Sequence, residues 1–240
     1  MKPSIDIKVV IFTSIKDVHE DSEMKLGVLH LFTKGGGKSL PQAMLQSGWL
    51  WSGLIRALEE IPFFPQRKLS AKKHMIMKYL FDRVATSGVV LAPQLGSEET
   101  GATVVFHGYA EDLASLLRVE GSDETPSSLG ATWGFLSLKD AIRFDPVVVS
   151  KALCTLRVRA EREDFFTFLD PPLTMPRLAT AYEAIFGTSP DPRNFRRKME
   201  AVLRPVGKLP SVTRGRPAML YEFDPVRFQG LVSVGKRILP

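Results

Sequence analysis

The feature that most constrains the fold of this chain is a pair of amphipathic helical patterns separated by a tight turn. In the first pattern Leu178, Tyr182 and Ile185 share one face, between an N-cap at Thr174 and a terminating glycine at Gly187. The second pattern starts at Asp191 and Pro192 and turns four apolar side chains inward: Phe195, Met199, Val202 and Leu203. A strand-like run, 219–223, follows. Two short helices across a tight turn, followed by a strand, predict a winged helix-turn-helix.

The outer face of the second helix and the segment after it are rich in cations. The inward set leaves the following side chains facing solvent: Arg193, Asn194, Arg196, Arg197 and Lys198. Downstream, a loop between two expected strands carries Lys208, Arg214 and Arg216. Arginine and asparagine can bond the edges of guanine and adenine, and lysine or arginine can hold a phosphate. We therefore expect these eight residues to contact DNA, the alternative being an ordinary helix with a charged outer face.

Net charge is distributed unevenly along the 240 residues. Residues 1–140 contain 15 Lys and Arg against 16 Asp and Glu, whereas residues 141–240 contain 17 Lys and Arg against 10 Asp and Glu. The excess of positive charge, which gives the whole chain a formal net charge of +6, therefore lies in the last hundred residues. Most of these cations are arginine, which contacts phosphate and guanine in a bidentate manner. Charge alone also fits a solvated basic face.

The first part of the chain has the pattern of a mixed α/β domain. Alternating, β-branched runs predict strands over 5–13, 26–32, 88–92 and 102–109. Helical spacing predicts one core-facing helix through Trp51, Leu54, Ile55 and Leu58, and another over 71–84 with Ser70 as its cap. We expect at least one of Trp49 and Trp51 to lie in the core.

A long helix from Asp145 to about Arg162 is expected to join the two halves. Cys154 falls within it and is expected to be buried packing, since a single cysteine forms no intrachain disulfide. The C-terminal run 224–240 contains Leu231, Val232 and Val234, which suggest a strand.

Three segments resemble the C-terminal winged helix of the Nudix-related transcriptional regulators: YEAIFG at 182–187, DPRNFRRKM at 191–199 and GRPAMLYEF at 215–223. The residues before this region are similar to the junction between the two domains in the same family. They are Trp133, Phe144-Asp145, Ala152-Leu153 and Leu156-Arg157. The resemblance covers about residues 131–223. It implies DNA contact for Arg193, Asn194, Arg196, Arg197 and Arg216, a core position for Phe195 and wing packing for Tyr221.

By this resemblance the chain has an α/β (α+β) two-domain fold. Residues 1–143 would form a Nudix-like α/β/α sandwich that senses an effector, and residues 144–240 a junction helix and a winged helix-turn-helix. The implied protein is a homodimeric repressor or activator that binds a near-palindromic double-stranded DNA operator. A small-molecule effector, a nucleotide or sugar derivative, would control it; its binding residues are not predicted.

The hydrolase motif of the Nudix fold is degenerate in this chain. Its glutamates hold a divalent metal that activates water. The best register aligns Leu40-Pro41 with the start of the motif and 56–60, Arg-Ala-Leu-Glu-Glu, with its acidic core, so only one or two acids remain, at Glu59 and Glu60. We therefore assign no catalytic residue, no metal ligand and no cofactor, and expect a regulator that is not an enzyme.

Two other functions fit the same residues. A divergent nucleoside-diphosphate hydrolase would need carboxylates from outside the motif, such as Glu98 and Glu99. A nucleic-acid-binding adaptor would instead use its first domain to dock a protein partner. No segment has the pattern of a signal peptide or a transmembrane helix, so we expect a cytoplasmic protein without membrane contact.

Overall fold

The structure is a computed structural model, and it describes most of the chain. The described residues are 5–16, 24–33, 37–45, 49–59, 61, 70–93, 100–111, 113, 116, 131–162, 164–209, 217–236 and 238. The chain divides into two compact units: Met1–Ile15 with Leu26–Leu156, and Lys16–Lys25 with Arg157–Pro240.

The first unit is built on a mixed sheet of seven strands. The strands are β1 Ile5–Lys16, β2 Met24–Thr33, β3 Lys38–Ser39, β4 Gln42–Leu45, β5 Val84–Pro93, β6 Thr100–Tyr109 and β7 Ala131–Ser137. Their order is β3-β2-β1-β6-β5, with β4 paired to β1 and β7 paired to β2. The central pair β1 and β6 is parallel, in a register that places Ile7 opposite Val104.

Two helices, α1 Leu50–Glu59 and α2 Ser70–Arg83, contribute to the core of this unit. One buried cluster contains apolar side chains from all three elements. Its members include Ile7, Val9 and Ile11 of β1, Leu54, Ala57 and Leu58 of α1, and Ile76 and Leu80 of α2. The alternate side chains of β1, Val10 and Phe12, are also fully buried. The central strand is therefore covered on both faces, as the uninterrupted apolar run of its sequence requires.

Two further helices follow β7: α3 Leu138–Phe144 and α4 Pro146–Ala160. Asp145 lies between these helices, and its carboxylate accepts two hydrogen bonds. One carboxylate oxygen accepts from Lys8 Nζ of β1 at 2.7 Å, and the other accepts from the backbone N–H of Val148 at 3.3 Å. A half-buried ion pair thus fixes the start of α4 against the sheet, and the division between the units falls inside this helix, after Leu156.

The second unit contains four helices and a two-stranded sheet among its described residues. The elements are α5 Asp164–Thr167, α6 Met175–Phe186, α7 Pro192–Glu200, β8 Leu203–Leu209, β9 Ala218–Phe223 and α8 Pro225–Ser233. Strands β8 and β9 pair in antiparallel register. The unit is the helix, turn, helix and hairpin of a winged helix, so the predicted two-domain α+β fold class is confirmed.

The predicted strand in the C-terminal run is wrong, because residues 225–233 form helix α8. Asp224 caps this helix: one carboxylate oxygen accepts from the backbone N–H groups of Val226 and Arg227, both at 3.1 Å. Pro225 occupies the first turn, and Phe228 is buried against the ring of Phe223. Capping and one buried aromatic side chain therefore outweigh the β-propensity of the valines.

Two expectations about burial are also wrong. Cys154 is exposed, because the buried stripe of α4 runs through Ala152, Leu153 and Leu156. Trp49 precedes α1 and is 83% exposed, and Trp51 is 49% exposed. Smaller side chains of α1, Gly53, Leu54, Ala57 and Leu58, face the sheet instead.

The sequence also predicts a short helix over 110–117, of which residues 112, 114, 115 and 117 lie outside the described residues. Among the described helices, none is long and apolar enough to cross a membrane.

Two glycines of the second unit should respond in opposite ways to substitution by alanine. Gly187 ends α6 with φ of +73°, and Gly230 lies inside α8; an added Cβ would meet nothing within 4 Å at either position. Gly187→Ala should therefore lower the free energy of unfolding by about 1–2 kcal/mol through backbone strain alone. Gly230→Ala should raise it by roughly 0.5–1 kcal/mol, because alanine favours a helix. Urea unfolding of the full chain measures both; equal shifts of the same sign would contradict the left-handed cap.

His30 should make the stability of the first unit depend on pH. Burial lowers the pKa of His30 below its ordinary value of 6.5, against the opposing effect of a hydrogen bond in which Nδ1 donates to Val28 O at 3.0 Å. The charge of Lys38 also lowers this pKa, and that of Asp145 raises it. His30 therefore binds a proton more readily in the unfolded chain than in the folded one. Its contribution to the free energy of unfolding is complete above pH 6.5 and falls as the pH drops below that value.

We expect His30→Leu to flatten the loss of unfolding free energy between pH 7.5 and pH 5.5, measured by urea unfolding at both values. His74→Leu makes the same exchange at an exposed position and is the matched variant with which the slope of His30→Leu is compared. An unchanged slope in His30→Leu would show that His30 is not the group responsible.

Candidate nucleic-acid interface

The helix-turn-helix is set by two caps and a left-handed glycine. Thr174 Oγ1 accepts from the backbone N–H of Arg177 at 3.4 Å, and Gly187 ends α6. Asp191 then accepts from the backbone N–H of Asn194 at 2.7 Å and starts α7 with Pro192 in its first turn. These are the four terminal residues that the sequence predicted, so local hydrogen bonding determines where both helices begin and end.

Helix α7 has one buried face. Phe195 and Met199 are buried, and the ring centroid of Phe195 lies 5.6 Å from that of Tyr182 on α6. Both side chains confirm their predicted core positions. Val202 and Leu203 are buried as predicted but follow the helix, which ends at Glu200.

The opposite face of α7 carries the predicted DNA-contacting residues. Arg193, Arg196 and Arg197 are exposed, and Asn194 and Lys198 are half-buried. Arg197 Nη2 donates to Asn194 Oδ1 at 2.9 Å, so these two side chains form one hydrogen-bonded pair. The pair leaves further arginine N–H groups and the asparagine NH₂ as donors.

Arg196 is held differently from its neighbour. Its Nε donates to Glu200 Oε1 at 2.8 Å, one turn along the helix. The hydrogen bond and the charge of Glu200, followed by the nearby Tyr221, raise the pKa of Arg196 above its ordinary value, so the group is always cationic. The i,i+4 spacing of Arg196 and Glu200 is visible in the sequence.

The wing is the hairpin of β8 and β9. Lys208 is exposed on β8 opposite Met219, and Arg204 Nη2 pairs across the hairpin with Glu222 Oε2 at 2.8 Å. Arg214 and Arg216 lie outside the described residues.

A cleft of about 340 Å³ brings the helix and the wing together. Its lining includes Arg196 of α7, Lys208 of β8 and Tyr221 of β9, with Met175 and Pro176 at the start of α6. The structure therefore places two of the predicted cations in one concave surface. The arrangement suits an anionic oxygen more than a base edge, because two cations converge there.

A cluster of three aromatic side chains packs against strand β9 of the wing. The rings of Phe166 and Phe223 stack with centroids 4.3 Å apart, and Phe228 of α8 contacts both. Tyr221 is buried, as predicted for wing packing, and its backbone exchanges two hydrogen bonds of 2.8 Å with Leu173. These contacts tie the hairpin to the strand-like segment before α6.

The last turn of α4 contacts the helix-turn-helix as well. Arg157 Nε donates to the carbonyl oxygen of Ile185 at 2.9 Å, near the C-terminal end of α6. This bond satisfies a carbonyl that has no partner within its own helix.

Residues 56–59, which the sequence aligns with the acidic core of the hydrolase motif, lie on α1. Ala57 and Leu58 are fully buried and Glu59 is exposed at the end of the helix, while Glu60, Glu98 and Glu99 lie outside the described residues. Within the described part of the chain, no three histidine, cysteine, aspartate or glutamate side chains are grouped so as to hold a metal ion.

The C-terminal unit matches a known domain family. Residues 165–223 match the model of the NrtR DNA-binding winged helix domain. No curated protein matches the chain by sequence.

Solved structures share the fold of nearly the whole chain. NrtR of Shewanella oneidensis is 19% identical, with a TM-score of 0.61, covering 92% of this chain and 94% of the other. The same protein complexed with a 27mer DNA is 20% identical, with a TM-score of 0.60 and coverage of 94% and 95%. A MutT/nudix family protein of Enterococcus faecalis is 16% identical, with a TM-score of 0.57 and coverage of 93% and 89%.

The predicted resemblance is therefore confirmed: residues 165–223 match the NrtR DNA-binding winged helix domain, and the chain shares the fold of the solved NrtR structures.

Proposed function

We propose that this protein is a DNA-binding transcriptional regulator controlled by a metabolite. The observation that carries the proposal is the one-sided helix α7, whose exposed face presents Arg193, Arg197 and the amide of Asn194. A helix of this kind enters the major groove of DNA, while a cation of the wing such as Lys208 binds a phosphate of the DNA backbone. NrtR of Shewanella oneidensis, which shares the fold of this chain, has been solved in complex with a 27mer DNA, and this supports a role in DNA binding.

The two arginines of α7 have different roles in this proposal. Arg197 and Asn194 read base edges as a pair, because they are bonded to each other on the exposed face and keep further donors. Arg196 and Lys208 hold a backbone phosphate, because both line the cleft between helix and wing. Arg214 and Arg216 of the wing and Lys198 of α7 add further contacts with the operator.

The domain roles follow the predicted division. Residues 1–143 bind a nucleotide-type or sugar-type effector, and residues 144–240 bind DNA. Two copies bind a near-palindromic operator in the cytoplasm, with half-sites one helical turn apart or a multiple of it. An effector regulates only if it has different affinities for two arrangements of the dimer.

The first domain acts as a sensor and not as a hydrolase in this proposal. Ala57 occupies the place of a motif glutamate and is fully buried, so no carboxylate reaches a metal from that position. We expect no turnover above background when the full chain is incubated with magnesium and ADP-ribose, with released nucleotide measured by chromatography. Magnesium-dependent turnover that scales with protein concentration would contradict this part of the proposal.

Alanine variants of the two arginines separate base reading from phosphate binding. Arg197→Ala should weaken operator binding by about 1–3 kcal/mol while leaving binding to random DNA nearly unchanged. Arg196→Ala should weaken both and reduce the slope of log K against log salt by about one. A salt-titrated mobility-shift assay measures each value.

Arg162 is an exposed arginine of the same unit outside α7 and the wing, so Arg162→Ala is the matched control. If neither α7 variant binds operator less tightly than this control, α7 is not the recognition helix.

A further inference from the structure

A groove lies between α1 and α2 of the first unit. It encloses about 590 Å³, within the range of small-molecule sites. Leu58 is fully buried in it, Ile55, Met77 and Phe81 contribute apolar walls, and Glu59, His74 and Lys78 contribute polar groups. A mostly apolar cleft with a few polar groups is the usual form of a ligand site.

An aromatic surface lies beside one end of the groove. Trp51 is half-exposed, and its ring centroid lies 5.5 Å from that of Phe81, which lines the groove, and 5.8 Å from that of the buried Phe106. Phe81 and Phe106 thus pack against the indole of Trp51 and leave part of it exposed to solvent. A large aromatic side chain held in this way offers a surface on which a planar ring can stack.

Three polar side chains provide complementary binding groups. His74 and Lys78 are one turn apart on α2 and both exposed, and Glu59 is the last residue of α1. Within the part of the chain that the structure describes, none of the three makes a hydrogen bond or an ion pair. Two donors and one acceptor therefore remain available to a ligand at the groove.

The groove shares only Leu58 and Glu59 with the segment 56–60 that the sequence aligns with the acidic core of the hydrolase motif. Ala57, which replaces a motif glutamate, is buried in the core with Leu54. The groove instead uses Ile55 and Glu59, which are one turn apart on the exposed face of α1.

We propose that this groove binds a small planar aromatic anion. Its ring packs against Trp51 and Phe81, its anionic group bonds to Lys78 and His74, and a hydroxyl or amino group donates to Glu59. A nucleoside monophosphate and a simple aromatic carboxylate share this chemistry. That the ligand acts as the effector rests on the proposed function, whereas its binding does not.

The test is a calorimetric titration of the full chain with two probes, adenosine monophosphate and 1-naphthoate. We expect saturable binding of one ligand per chain for at least one probe, together with a change in tryptophan fluorescence that disappears in Trp51→Phe. Binding of the nucleotide alone would identify a ribose-dependent ligand, and binding of naphthoate alone a ligand without sugar. Binding of neither probe at millimolar concentration would overturn the proposal.

Two variants locate the site. Lys78→Ala should weaken binding about tenfold, the effect of losing one charge-assisted hydrogen bond. Lys139→Ala, which removes an exposed lysine of α3 in the same unit, is the matched control and should bind normally. Ile55→Trp should abolish binding by filling the groove from an exposed position. Normal binding by both Lys78→Ala and Ile55→Trp would overturn the assignment to this groove.

Operator binding and sedimentation, measured on the same preparations, separate the possible failures. Protein that binds DNA but neither probe contradicts the groove assignment alone, and protein that binds a probe but no DNA contradicts the proposed function alone. If Ile55→Trp converts a dimer to a monomer, the groove is a subunit interface and the ligand assignment is wrong.

Discussion

The packing of Phe195 against Tyr182 is the interaction on which the DNA-binding surface depends. It buries one face of a nine-residue helix that is otherwise strongly polar. With Phe195 and Met199 directed inward, helical geometry turns the arginines of α7 to solvent. A cationic surface on so short a helix thus needs few apolar contacts, provided that both helices are capped at the right residues.

The same two-residue signal starts three helices of this chain. Asp145-Pro146, Asp191-Pro192 and Asp224-Pro225 each combine a carboxylate that accepts from backbone N–H groups with a proline in the first turn. At Asp191 the signal predicts the helix that the structure shows. At Asp224 the propensities of Leu231, Val232 and Val234 predict a strand instead, so the cap at the start of this segment is more informative than the residues that follow it.

The elements with strong local patterns were predictable, and those that depend on distant partners were not. The sequence predicted β1, β2, α1, α2, α6 and α7 because periodicity and capping act within a few residues. It did not predict β7, whose place is set by pairing with β2 more than a hundred residues earlier, such as Trp133 opposite Leu31. The cleft that joins Arg196 to Lys208 likewise arises from packing, so the sequence could identify both cations but not their proximity.

The central claim, that the exposed face of α7 gives this chain a specific operator, is tested most directly by sequencing the genomic DNA fragments that the full-length protein retains. We expect a recurrent, near-palindromic sequence whose half-sites are spaced by one helical turn or a multiple of it. Enrichment should disappear when Arg193 and Arg197 are both replaced by alanine. Fragments no more alike than random genomic DNA, or the same enrichment in the double variant, would contradict the claim.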